Sequence, residues 1–137
     1  MKEFDSKNVK KIEIILCKIN AEKIEKKPSS TKFTITRVDK YEILEIKENA
    51  FSLKLNSSIF IDPEALFRVN LEHQIKYEFT HEIDTKFIEN NLEEIFHPVG
   101  SEVSYITSTL TKFLTDSYII LPPTIIIEQE NSKKQQK

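Results

Sequence analysis

Two stretches in the middle of the chain alternate strictly between apolar and polar positions. From 51 to 61 every second residue reads Phe51, Leu53, Leu55, Ser57, Ile59 and Ile61, with Ser52, Lys54, Asn56, Ser58 and Phe60 between them. From 67 to 79 the series is Phe67, Val69, Leu71, His73, Ile75, Tyr77 and Phe79, interleaved with Arg68, Asn70, Glu72, Gln74, Lys76 and Glu78. Successive side chains of a strand point to opposite faces, so a period of two predicts strands with one buried and one wet face. Asp62-Pro63-Glu64-Ala65-Leu66 joins the runs. Proline fixes φ and donates no hydrogen bond, which suits a turn. The two runs predict an antiparallel hairpin.

Residues 12–24 carry Ile12, Ile14, Ile15, Leu16, Ile19 and Ile24, a pattern that mixes periods of two and of three to four. A strand is the better reading and a helix the alternative. Lys26-Lys27-Pro28-Ser29-Ser30 breaks the chain, and Phe33, Ile35 and Arg37 then alternate with Thr34, Thr36 and Val38 in a β-rich run. Residues 41–46 are a short apolar stretch that fits a bulged or bent continuation of that strand. After Phe79 the period changes. Asp84 is placed to cap a helix, and Phe87, Ile88, Leu92, Ile95 and Phe96 recur at helical spacing. Residues 97–102, with Pro98 and Gly100, predict an interruption, Pro98 fitting the first turn of a second helix. Val103, Ile106, Leu110 and Phe113 then form one apolar stripe that should lie on the sheet. Asp116 and Ser117 end it. Residues 118–127 are apolar and extended, because Pro122-Pro123 forbids helix there. Residues 128–137 are polar and are expected to be a disordered tail. The fold class expected is α+β: one domain over residues 1–127, with about four mostly antiparallel strands followed by helices on one face.

Composition narrows the function. One glycine in 137 residues excludes both the phosphate-cradling GxxxxGK[ST] loop and the GxGxxG dinucleotide fingerprint, so no nucleotide cofactor is expected. One cysteine excludes an internal disulfide and any zinc site built on a cysteine pair. Cys17 sits in an apolar stretch where a buried, inert thiol is expected. The net charge of -2 attracts neither nucleic acid nor an anionic membrane. No segment approaches 18 uninterrupted apolar residues, so no membrane span is expected, and the first residues lack the apolar core of a secretory signal. A soluble protein of the reducing cytoplasm is the default.

Three histidines could suggest a metal or a general base, but His73, His81 and His97 share no ligand spacing and read as structural. Glu89, Glu93 and Glu94 fall off the apolar stripe and read as a solvated helix face. No nucleophile motif is present, and an enzyme is not expected. The wet hairpin face offers Lys54, Arg68 and Lys76, but also Glu72, Glu78 and only Phe60 as an aromatic, which is not a nucleic-acid surface. The run at 118–127 either packs as a last strand or strap over the core, or lines a subunit interface or a groove for extended polypeptide.

The stretch Ile95-Phe96-His97-Pro98-Val99-Gly100-Ser101-Glu102-Val103-Ser104-Tyr105-Ile106-Thr107-Ser108, followed at a distance by Ile120-Leu121-Pro122-Pro123-Thr124-Ile125, resembles the SecB export-chaperone family. In that family a Phe-Pro-Tyr-Ala-Arg-Glu-like element opens the long helix and a Leu-Ala/Pro-Pro segment follows it. Pro98 and Glu102 match the opening element, while Val99, Gly100 and Ser101 replace its aromatic, small and basic residues. The family's last amphipathic helix is replaced by residues 125–137. The resemblance implies an ATP-independent holdase for non-native polypeptide, without metal or cofactor, in a homotetramer built as a dimer of dimers. It implies that Phe33, Ile35, Phe113, Leu114, Tyr118, Ile120 and Leu121 line a client groove or an interface. The family's docking surface for the SecA motor is acidic. The mixed charge here speaks against SecA delivery more than against chaperoning, and leaves open the SecB-like branches found with toxin–antitoxin systems or as accessory proteins. A SecB-like protein dedicated to one partner is the alternative to a holdase serving export. An unrelated α+β enzyme is the remaining alternative.

Overall fold

The two alternating runs become the central pair of a four-stranded antiparallel sheet. The computed structural model describes residues 3–25, 34–63, 65–125 and 127. Strands β1 (Val9–Ile24), β2 (Thr34–Ile46), β3 (Ala50–Asp62) and β4 (Leu66–Phe79) lie in the order β1-β4-β3-β2. The register sets Leu53 opposite Ile75, Leu55 opposite His73 and Ile59 opposite Val69. Every odd-numbered residue from 51 to 61 and from 67 to 79 is buried, so the pattern places one whole face in the core. The expected tail at 128–137 lies outside the described residues.

The outer strands explain their irregular sequences. The ladder of β1 shifts register between Leu16 and Lys18. Before the shift Ile14 and Leu16 face the core opposite Ile75 and His73; after it Ile19 and Ala21 do so, opposite Leu71 and Val69. A bulge inserts one residue and so exchanges even for odd positions. That exchange produced the mixed period. Cys17 lies at this shift and is exposed, contrary to the buried thiol expected. Strand β2 is continuous, with a shift between Ile43 and Glu45, so residues 41–46 are its bulged continuation.

Helix α1 (Thr85–Asn90) opens as expected, with Asp84 accepting from the Phe87 amide at 2.8 Å. The break that follows comes earlier than expected. It falls at Asn91, whose buried side chain donates to the Phe87 carbonyl (2.7 Å) and accepts from the Phe4 amide (3.1 Å). Helix α2 (Leu92–Thr115) then runs unbroken through Pro98. The proline forfeits the bond to the carbonyl four residues back. It does so on the side where Glu94, Pro98 and Ser101 all face water, while Ile95, Phe96, Val99 and Val103 are buried opposite. The expected stripe also drifts: Val103 is buried, Ile106 and Leu110 are half-buried, and Phe113 is 81% exposed. The buried row continues instead through Thr107 and Thr111. Thr111 remains satisfied there by donating to the Thr107 carbonyl at 2.9 Å.

Two polar bonds fix the helix on the sheet. The Tyr77 hydroxyl donates to the Ile95 carbonyl at 2.7 Å, and burial raises the phenol's pKa, so it stays a donor. The fully buried His73 reaches Glu102 with Nε2 to Oε2 at 2.7 Å. Burial lowers the His73 pKa, and the hydrogen bond and charge of Glu102 oppose that shift only in part. The neutral ring therefore donates from Nε2, leaving Nδ1 as a bare lone pair in the core.

Two outcomes follow. Phe96→Ala removes a fully buried ring packed on Tyr41 and should cost about 3–5 kcal/mol in urea unfolding. Below the ordinary histidine value of 6.5 the unfolded chain binds a proton at His73 that the folded chain refuses. His73 therefore costs no stability above that pH, and stability falls as pH drops from there toward the lowered folded value. Urea midpoints at neutral and mildly acid pH should show this slope, and His73→Leu should flatten it.

Candidate polypeptide-binding site

The segment after α2 turns back along the helix. Asp116 makes the turn in the left-handed region (φ 63°), which aspartate tolerates, and its amide donates to the Lys112 carbonyl at 2.9 Å. The Lys112 ammonium holds the Asp116 carboxylate at 2.8 Å. The Ile119 amide donates to Thr111 Oγ1 (3.0 Å), and Ser104 Oγ donates to the Leu121 carbonyl (2.7 Å). Arg37 Nη1 donates to the Pro122 carbonyl (3.0 Å), and Ile127 forms a parallel bridge with Asp39. The segment is thus a strap from the end of α2 across to the edge of β2. Leu121 and Ile125 are buried beneath it.

The chain's one glycine makes this path possible. Gly100 sits on the strap side of α2, and a Cβ there would lie 1.9 Å from the Pro123 carbonyl oxygen. No other residue lets the strap backbone come so close. Under the strap, Arg37 Nε pairs with Asp39 Oδ2 at 2.8 Å, on the helix side of β2 opposite Ile59 and Ser57. Asp39 is buried and the pair orients the guanidinium whose other arm holds the strap.

Around this channel the surface stays apolar. Tyr118 (64% exposed) and Ile120 (79%) project outward from the strap, Tyr118 with the Lys112 ammonium 5.6 Å above its ring. Phe113 is on the helix flank shared with Glu102, three turns away. On the helix side of β2 Ile35 is exposed as well; Val38 lies on the far face, and the exposed Ile12, Ile15 and Ile19 belong to β1 at the opposite edge of the sheet.

Of the residues singled out in the sequence, Phe113, Leu114, Tyr118, Ile120 and Leu121 gather around the last turns of α2 and the strap. Leu114 is half-buried and Leu121 buried, so these two pack on the core rather than face outward. Ile35 lies two places along β2 from Arg37, on the same face. Phe33 lies outside the described residues. Sequence reasoning missed Arg37, Asp39, Gly100 and Ser104. Only Gly100 carried a signal, as a lone glycine within a helical pattern.

Other chemistry is sparse. A depression on the far side of the sheet is lined by Lys11, Glu13, Glu45, Lys47, Lys76 and Glu78, charges of both signs. Phe60 on that side already lies under the Arg68 guanidinium, 4.8 Å from its ring centre. Among the described residues no three of His, Cys, Asp and Glu gather where one metal ion could bind. No helix among them is long and apolar enough to cross a membrane.

No family model and no curated protein matches the sequence. Several solved structures are similar, two of which illustrate the likeness. A Mycobacterium tuberculosis SecB-like chaperone, in complex with a ChAD peptide from the HigA1 antitoxin, aligns with a TM-score of 0.64 at 12% identity, over 88% of this chain and 93% of that one. A protein of unknown function from Streptococcus agalactiae aligns with a TM-score of 0.51 at 12% identity, over 82% of this chain and 98% of that one. The antiparallel sheet, the long helix laid across it and an alignment that covers most of both chains give one conclusion: this chain has the SecB-like chaperone fold.

Proposed function

We propose that the chain is a holdase that keeps extended, non-native polypeptide from aggregating, without ATP, cofactor or catalytic step, in the cytoplasm. One observation carries this reading: on a SecB-like fold, large apolar side chains stay exposed around a channel whose present occupant is an extended segment. An unfolded client offers the same two things, apolar side chains and free backbone groups. A strand edge accepts the second and apolar walls the first, with little demand for sequence.

The expected homotetramer, a dimer of dimers, is supported by β1. It is a terminal strand of the sheet, 16 residues long, and its exposed Ile12, Ile15 and Ile19 give it an apolar edge. Such an edge is an aggregation hazard unless something pairs with it. A narrower reading, service to one dedicated partner, is favoured by the antitoxin peptide bound to the mycobacterial structure. The mixed charge of the far sheet face speaks for that reading over delivery to the SecA motor.

Light scattering of two unrelated denatured proteins diluted into buffer without ATP should fall when this protein is present at equimolar amounts. Suppression of neither at several-fold excess would leave the dedicated reading. The mass in solution should be well above 16.1 kDa. Tyr118→Asp with Ile120→Asp should weaken client binding about tenfold or lower that mass, because an unpaired charge is costly in an apolar contact. Unchanged mass and affinity would show that the strap's outer side is neither groove nor interface.

A further inference from the structure

We propose that the strap, residues 121–125 with Ile127, is a built-in stand-in for the client: non-native polypeptide enters the channel between α2 and β2 by displacing the strap and taking over its bonds. The inference rests on the holdase reading and adds to it a place, an orientation and a gate.

The strap is held in the way an unrelated extended chain would be held. Its polar bonds are to its backbone: Ser104 to the Leu121 carbonyl, Arg37 to the Pro122 carbonyl and the bridge from Asp39 to Ile127. Such bonds read no sequence. The side chains it buries, Leu121 and Ile125, are two branched aliphatics four residues apart. Gly100 leaves room for a backbone carbonyl against the helix, whichever chain brings it. A client in this seat runs parallel to β2, as the strap does.

The strap is also a weak occupant by construction. Among the described residues it meets β2 through one isolated bridge. Pro122 and Pro123 have no N–H, so the strap cannot donate to β2 at those positions. A proline-free client can donate there and form ladder bonds the strap cannot. The paired prolines therefore set the affinity of the internal occupant below that of a client, while still covering Arg37, Asp39 and the core beneath.

The test compares strap and channel variants with a labelled, proline-free synthetic peptide carrying two leucines four residues apart. Leu121→Ser with Ile125→Ser loosens the strap and leaves the channel intact. It should bind the peptide about fivefold or more tighter, the gain expected when a closed state no longer taxes binding. Gly100→Ala obstructs strap and client alike and should bind about tenfold weaker. In the wild-type protein, saturating peptide should speed hydrogen exchange at the Ile119 amide, whose bond to Thr111 Oγ1 anchors the start of the strap. This third measurement decides the matter even if a variant fails to fold. Strap protection unchanged at saturation, or no tighter binding by a strap-released variant, overturns the proposal and leaves the holdase reading intact. If neither the peptide nor a denatured protein binds to wild type or strap variant, the holdase reading falls and this inference with it.

Discussion

A single helix is too narrow to cover four strands. Strands lie about 4.8 Å apart, so four of them present a face roughly 15 Å across plus side chains, while a helix with its side chains spans about 10–12 Å. Helix α2 lies closest to β4 and β1 and reaches Tyr41 on β2 with the Phe96 ring, and every inward residue of the central strands β3 and β4 is buried. Each flanking strand still keeps inward side chains that are only partly covered. On β2 the strap supplies part of the missing cover, with Leu121 and Ile125. On β1 Ile12 and Ile19 face the same side and remain exposed. The apolar surface from which the functional reading is built is thus the remainder of a geometric mismatch between two layers.

The mismatch makes the helix's placement matter, and two polar bonds set it. Tyr77 and His73 rise from one face of β4 and reach Ile95 and Glu102, about two turns apart on α2. Apolar packing alone would tolerate sliding along the ridges of the sheet. A hydroxyl and an imidazole that must each find one acceptor do not, because leaving either unpaired in the core costs about 1–3 kcal/mol. The placement of α2 then sets Gly100 and Ser104 opposite Arg37, which is what seats the strap.

The central hairpin was legible because both its strands have one wet and one buried face, and each residue's side shows in its chemistry. The cap at Asp84 was legible for an equally local reason. The outer strands were half legible: a bulge exchanges odd and even positions, and edge residues need not be apolar inside or polar outside. Helix α2 was misread at Pro98, since tertiary burial of Ile95, Phe96 and Val99 outweighs one missing hydrogen bond on the solvent side. The strap's apolar character was visible, but not what holds it. Arg37 and Ser104 meet backbone carbonyls far away in sequence, and a backbone carbonyl leaves no mark in the order of residues.

The strand order has a consequence in time. Strands β2, β3 and β4 form a meander of neighbours and can pair as soon as each is made. Strand β1 emerges first, yet its rungs run from Ile24 with Leu66 to Val9 with Phe79, so it must wait for the last strand. Non-local pairing of this kind is slow, because loop closure comes before any gain from contact. During synthesis the nascent β1, with its run of isoleucines, is itself an exposed aggregation-prone segment. A protein read as a keeper of unfolded chains would thus begin its own life in its clients' condition.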